Sequence, residues 1–153
     1  MSDHKPVSFI VPGEAVGKGR PRVRMLGAKP GKKPVPMLYT PAETKAYEDL
    51  IARYAAASMQ GRELITGPVL VELKIAVGIA VSWSKKKTAA ALAGQVMPTK
   101  KPDADNVLKA ICDGINGIVF KDDVQVVNVS MSKRFAEKPG VSVRVVPLEG
   151  LPS

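Results

Sequence analysis

The chain has 153 residues, 45% of them hydrophobic and 24% charged, with 23 Lys+Arg against 14 Asp+Glu and a formal charge of +9. That length and apolar content support one domain, residues 1–153, with its own core, and exclude a disordered tail protein. The charge favours polyanions as partners: DNA, RNA or an anionic surface. One cysteine, Cys112, excludes an internal disulfide and a four-cysteine zinc site. The single histidine, His4, lies in the N-terminal tail, which argues against zinc enzymes and against Ser-His or Cys-His catalysis. Chemistry is left to carboxylates, lysines and backbone groups. The opening residues carry no signal-peptide pattern, and the longest apolar run, Ile75 to Val81, is too short to span a bilayer. A cytoplasmic protein with no membrane partner is expected.

Val7 to Val11, closed by Pro12-Gly13, reads as a first strand. Residues 13–40 are rich in Gly, Pro and basic side chains and read as a long loop or irregular arm, a length that points to function. Thr40-Pro41 opens a helix with Glu43 completing a capping box. Tyr47, Leu50, Ile51 and Tyr54 mark its apolar face as far as about Met59. Gly67-Pro68 starts a strand from Val69 to about Val81. Ser82 or Ser84 then caps a helix carrying Lys85, Lys86 and Lys87, which Gly94 stops. A basic connection over 95–102 leads to a helix from about Asp105 to Asn116, with Leu108, Ile111 and Ile115 facing the core. Val119 to Lys121 and Val124 to Phe135 read as strands joined at Asp122-Asp123. Val141 to Val146 supplies a last strand expected to pair with the one before it. The pattern is α+β, a mixed or antiparallel sheet with helices packed on it.

Five aspartates, Asp103, Asp105, Asp113, Asp122 and Asp123, crowd one segment of this basic chain, directly after Lys100 and Lys101. Structural roles explain part of this. An aspartate at a helix start caps the backbone, Asp105 and Lys109 are spaced as an ordinary helix ion pair, and Asp122-Asp123 is a common turn pair. The functional reading is a divalent-metal site. Mg²⁺ prefers oxygen ligands and shares its shell with water and phosphate. A bound cation would let converging carboxylates and a phosphodiester occupy one place, activate a water and stabilise the leaving oxygen. Lys109 could stabilise charge on the phosphoryl group.

The run Lys101 to Val127, KPDADNVLKAICDGINGIVFKDDVQVV, resembles the central signature of the RusA family of Holliday junction resolvases. The matching residues are Asp103, Asp105, Asn106, Lys109, Asp113, Asp122, Asp123 and Gln125. Gly17-Lys18-Gly19-Arg20-Pro21-Arg22, Tyr39-Thr40-Pro41 and Ser82-Trp83-Ser84-Lys85-Lys86-Lys87 are similar as well, so the resemblance runs over most of the chain. It implies a small homodimeric endodeoxyribonuclease that depends on Mg²⁺, with Mn²⁺ as substitute, and resolves four-way DNA junctions in recombination and repair. It implies Asp103, Asp105 and Asp123 as metal-binding and catalytic aspartates and Lys109 as catalytic lysine. Asp122 would orient its neighbour or assist the metal. Asp113 is read as helix support and Asn106 as a residue that orients a ligand.

Two basic stretches lack compensating acids. One holds Lys18, Arg20, Arg22, Arg24, Lys29, Lys32 and Lys33; the other holds Lys85, Lys86, Lys87, Lys100 and Lys101. Although a charge run is ordinarily a solvated face, one of these abuts the acidic segment, which favours contact with DNA phosphates. GKGRPR lacks P-loop spacing, so no nucleotide cofactor is expected. Trp83 either stacks on an unpaired base or packs in the core or a dimer interface. Two other functions fit the charge alone: a non-catalytic nucleic-acid-binding protein with a structural aspartate cluster, and an RNA-directed protein.

Overall fold

A computed structural model describes residues 5–17, 22–26, 35–39 and 42–148. Four strands form one mixed sheet in the order β1-β6-β4-β5, namely β1 (Val7–Pro12), β4 (Val69–Val77), β5 (Val126–Phe135) and β6 (Gly140–Pro147). A separate antiparallel ribbon pairs β2 (Arg22–Leu26) with β3 (Val35–Tyr39). Among the described residues three α-helices complete the α+β domain: α1 (Ala42–Met59), α2 (Lys85–Leu92) and α3 (Ala104–Ile115).

The central strands are built by alternation. Val69, Val71, Leu73 and Ile75 of β4 and Val141, Val143 and Val145 of β6 are buried on one face, opposite Val7, Phe9 and Val11 of β1. Onto that face α1 lays Tyr47, Ile51, Ala55 and Met59, and α3 lays Val107, Ala110, Ile111 and Ile115. Fully burying an aliphatic or aromatic side chain of this kind contributes about 1.5–3 kcal/mol, so this layer holds α3 in place. The two helices cross at Gly114, where an added Cβ would lie 2.7 Å from the Ile51 side chain. Gly117, at φ +79, follows the end of α3 at the left-handed position expected of Asn116-Gly117.

Several expectations are corrected. The arm over 13–40 contains the β2–β3 ribbon; the alternation Arg22-Val23-Arg24-Met25 is strand-like, although its charge suggests a loop. The Thr40-Pro41 cap lies outside the described residues. On α1 the buried stripe runs through Tyr47, Ile51, Ala55 and Met59, and Tyr54 is exposed. Strand β4 ends at Val77, where the Gly78 N–H turns to the Glu14 carboxylate at 3.1 Å, and Val81 is fully exposed. Val119–Lys121 forms no strand: Phe120 makes only isolated bridges to Ile65 and Asn116.

The last strand pairs with β1 and β4 rather than with β5. Strand β6 buries a valine row and takes an interior place. The face of β5 away from the helices carries Asn128, Ser130 and Ser132, and β5 lies at the edge, parallel to β4.

Candidate metal and DNA site

Helix α3 places the first carboxylates. Asp103 is its N-cap residue, yet the carboxylate makes no cap hydrogen bond. The capping explanation for Asp103 therefore fails, and the side chain stays exposed. Its described partner is Asn106, whose Nδ2 donates to Asp103 Oδ2 at 3.4 Å. Asn106 in turn sits against the root of the arm, since an added Cβ at Gly17 would lie 3.0 Å from the Asn106 Cβ. Ala15 and Val16 pack on the core just before it, so residues 15–17 lie beside this helix end. Asp105 is exposed in the first turn, and Lys109 is exposed one turn on.

The second group lies at the other end of the same helix face. Lys109, Cys112 and Asp113 share a cavity of about 430 Å³ with Leu108, Asp123 and Val126. Asp113 lies eight positions after Asp105, about 12 Å along the helix axis. The carboxylates thus stand as a pair at the helix start and a trio, Asp113, Asp122 and Asp123, around the turn. Among the described residues, no three acidic, His or Cys side chains stand close enough together to hold a metal ion.

The turn is tied down by Gln125. Asp122 caps a 3₁₀ turn, Asp123–Gln125, in which Asp122 Oδ1 accepts the Val124 N–H at 3.4 Å and the Asp122 N–H donates to Gln125 Oε1 at 2.9 Å. Gln125 Nε2 donates to the carbonyls of Ile65 and Gly67, both at 2.8 Å. Every face of this amide is used, and the segment entering β4 is stitched to the paired aspartates. The sequence places Gln125 in the motif without revealing this role; a buried-facing amide next to a turn is the signal that was available.

Electrostatics set the trio apart. A hydrogen bond with the Asp122 carboxyl holds the Asp123 carboxyl above the usual carboxylate range; desolvation and the charges of Asp122 and Asp113 act the same way, against a backbone hydrogen bond that lowers it. Burial pushes the Cys112 thiol up to about 11, with Asp123 and Asp113 adding to the effect. Excess negative charge of this kind is what a bound cation relieves.

The basic residues divide similarly. Lys85, Lys86 and Lys87 are exposed on α2, whose start is fixed by the Ser84 hydroxyl accepting the Lys87 N–H at 3.1 Å. Lys100 and Lys101 are exposed on the segment entering α3, where the Lys101–Pro102 peptide is cis. Arg22 and Arg24 lie on β2, while Lys18 and Arg20 fall outside the described residues. A residue with no assigned role in the sequence, Lys133, braces this entry. Its Nζ donates to the carbonyls of Lys100 and Pro102, both at 2.9 Å. No helix among the described residues is long and apolar enough to cross a membrane.

Comparison with known proteins gives two findings. The family described as Endodeoxyribonuclease RusA matches residues 12–146. The uncharacterized protein YqaN of Bacillus subtilis (strain 168) is 36% identical over 141 residues, which cover 91% of this chain and 94% of YqaN.

Proposed function

The chain belongs to the RusA endodeoxyribonuclease family, and on that footing we propose that it is a Mg²⁺-dependent homodimer that resolves four-way DNA junctions by paired phosphodiester hydrolysis. The observation that carries the metal assignment is Asp103: it occupies an N-cap yet leaves its carboxylate uncapped and exposed, with Asn106 as its partner among the described residues. Asp103, Asp105 and Asp123 are assigned as metal-binding and catalytic aspartates, with Asp122 assisting. All members of this donor set are hard carboxylate oxygens, the donor type Mg²⁺ takes, although among the described residues no three of them stand close enough together to hold the ion without moving. Bound Mg²⁺, or Mn²⁺ in its place, supplies charge neutralisation and an acidified water.

The protein's own residues supply the rest. Lys109, between the two carboxylate groups, stabilises charge that builds on the phosphoryl oxygens. Asn106 orients Asp103, and Gln125 orients the Asp122-Asp123 turn. Lys18, Arg20, Arg22 and Arg24 of the arm, with Lys85, Lys86, Lys87, Lys100 and Lys101, hold backbone phosphates without reading sequence. Asp113 supports the helix and keeps the cavity negative.

A symmetric junction needs nicks in two opposed strands, which a two-fold dimer meets with two matching sites. Edge strand β5 supports the homodimer. It exposes Val127, Val129 and Met131, with Val124 beside them on the turn, and an apolar edge strand is a ready surface for another chain.

Asp103→Asn tests the proposal. It is expected to abolish cleavage of a four-way junction while junction binding, read by gel shift, is kept or tightened as repulsion falls. Loss of binding along with cleavage would overturn the assignment of Asp103 to the metal.

A further inference from the structure

Between α2 and the end of the sheet lies a second cavity, of about 320 Å³, unlike the one at the carboxylates. Trp83, Phe135 and Met97 contribute aromatic and apolar walls, and Lys87, Lys100 and Lys101 line it as well. No acidic residue is among its described lining residues.

Local structure fixes its aromatic wall. The Trp83 N–H donates to the Ala80 carbonyl at 3.1 Å, closing the turn that precedes α2. The next residue, Ser84, caps the helix on the Lys87 N–H, so Trp83 and Lys87 are held one turn apart. The indole meets Phe135 edge to face, with ring centroids 5.0 Å apart and planes at 68°. The Lys87 ammonium lies 4.0 Å from the Trp83 ring centroid. Lys87 is exposed and Trp83 is only half-buried, so a flexible cation, not the core, covers that ring.

The cavity is joined to the carboxylates. Phe135 and Lys133 stand two apart on β5 and face the same side, about 7 Å from one another. Lys133 holds the carbonyls of Lys100 and Pro102, and Asp103 follows Pro102. One braced strip therefore carries an aromatic pocket at one end and a proposed metal ligand at the other, with lysines between them.

We propose that this cavity receives one unstacked nucleobase of the strand whose phosphate lies at Asp103. Trp83 supplies the stacking face and Lys87, Lys100 and Lys101 take the flanking phosphates. The proposal rests on the junction-endonuclease reading and deepens it by naming how a branched strand differs from a duplex at this surface. Every base has a π face, so an indole accepts any of them, whereas a base within a continuous duplex is already stacked on its neighbours. A branch point frees bases; the pocket then selects by stacking state rather than by sequence. An entering base moves the Lys87 ammonium from the ring onto its phosphate, exchanging a cation–π contact for an ion pair.

Trp83 is the chain's one tryptophan, so its fluorescence reports on the pocket directly. Wild-type protein without metal is titrated with a four-way junction and with a duplex of the same arm sequence, the bound fraction being read from the anisotropy of labelled DNA. At equal bound fraction the junction is expected to quench Trp83 emission strongly and the duplex weakly. Unchanged emission on a bound junction, or equal quenching by both DNAs, overturns the pocket. Trp83→Leu is expected to lower the junction-to-duplex affinity ratio by about tenfold or more, with Trp83→Phe restoring most of it; an unchanged ratio in Trp83→Leu counts equally against it. Failure of wild-type protein to cut junctions with Mg²⁺ strikes the endonuclease reading instead, and the quenching result still judges the pocket.

Discussion

The two carboxylate groups of this protein come from one sequence signature but are held in opposite ways. At the start of α3, Asp103 and Asp105 are exposed, and among the described residues Asp103 has the amide of Asn106 beside it. At the turn, Asp122 and Asp123 are bound into a 3₁₀ cap by Gln125, and the hydrogen bond between their carboxyls, with desolvation and repulsion adding to it, raises the Asp123 pKa. One pair is set near the lysines that would bring DNA, and the other is rigidly placed and electrostatically strained. A site that brings a polyanion to carboxylates needs both: ligands open to a cation, and an anchored charge that the cation relieves.

That contrast can be broken experimentally. Removing the positive charge between the groups has the largest expected effect after loss of a ligand. Lys109→Ala should lower junction-cleavage kcat by about 10²–10³-fold, with gel-shift binding little changed. Equal losses in binding and cleavage would make Lys109 a phosphate anchor rather than a catalytic group. Gln125→Leu leaves the aspartates in place but cuts their tie to Ile65 and Gly67. Single-turnover cleavage should fall about 10–100-fold, the usual cost of losing a residue that orients a ligand. Asn106→Ala should cost less than Gln125→Leu, because its one bond to Asp103 is long at 3.4 Å. The reverse order would show that the open pair, not the tied turn, depends on outside support.

A smaller effect concerns Cys112, in the wall of the trio's cavity. Its thiol stays protonated up to about pH 11 in the fold, above its ordinary value of 9.0, so the folded state holds this proton more tightly than the unfolded chain. The associated stability is complete below pH 9 and is lost as pH rises through about 11. Thermal melts should show a lower Tm at pH 10.5 than at pH 8, and a smaller drop in Cys112→Ala. Rapid alkylation of the native thiol at pH 8 would contradict the buried, protonated state.

Much of the fold was readable from periodicity. Helix α3 was legible because Leu108, Ile111 and Ile115 recur at helical spacing and Asn116-Gly117 stops it, although Val107 is buried where Leu108 is only partly so. The Gly94 stop of α2 was legible too, and of the two candidate caps, Ser82 and Ser84, Ser84 is the one used. Strand order was not, because alternation says which face is buried but not which neighbour a strand chooses. Strand β6 left β5 for β4 and β1, since its valine row belongs in the interior. Of the candidate site, the identities of Asp103, Asp105, Lys109, Asp122 and Asp123 follow from the motif. Their division into an open pair and a tied trio depends on Gln125 reaching residues about sixty positions away, and no local pattern encodes such a contact. Lys133 was missed for the same reason: its bonds to Lys100 and Pro102 join segments distant in sequence.

The central claim is that a basic surface delivers branched DNA to carboxylates that act through a divalent cation. The most direct measurement is cleavage of a mobile four-way junction with and without Mg²⁺, comparing wild type with Asp105→Asn. The account predicts paired nicks from wild-type protein only when Mg²⁺ is present, and no nicks from Asp105→Asn although it still binds the junction. Cleavage in EDTA, or wild-type rates from Asp105→Asn, would contradict it.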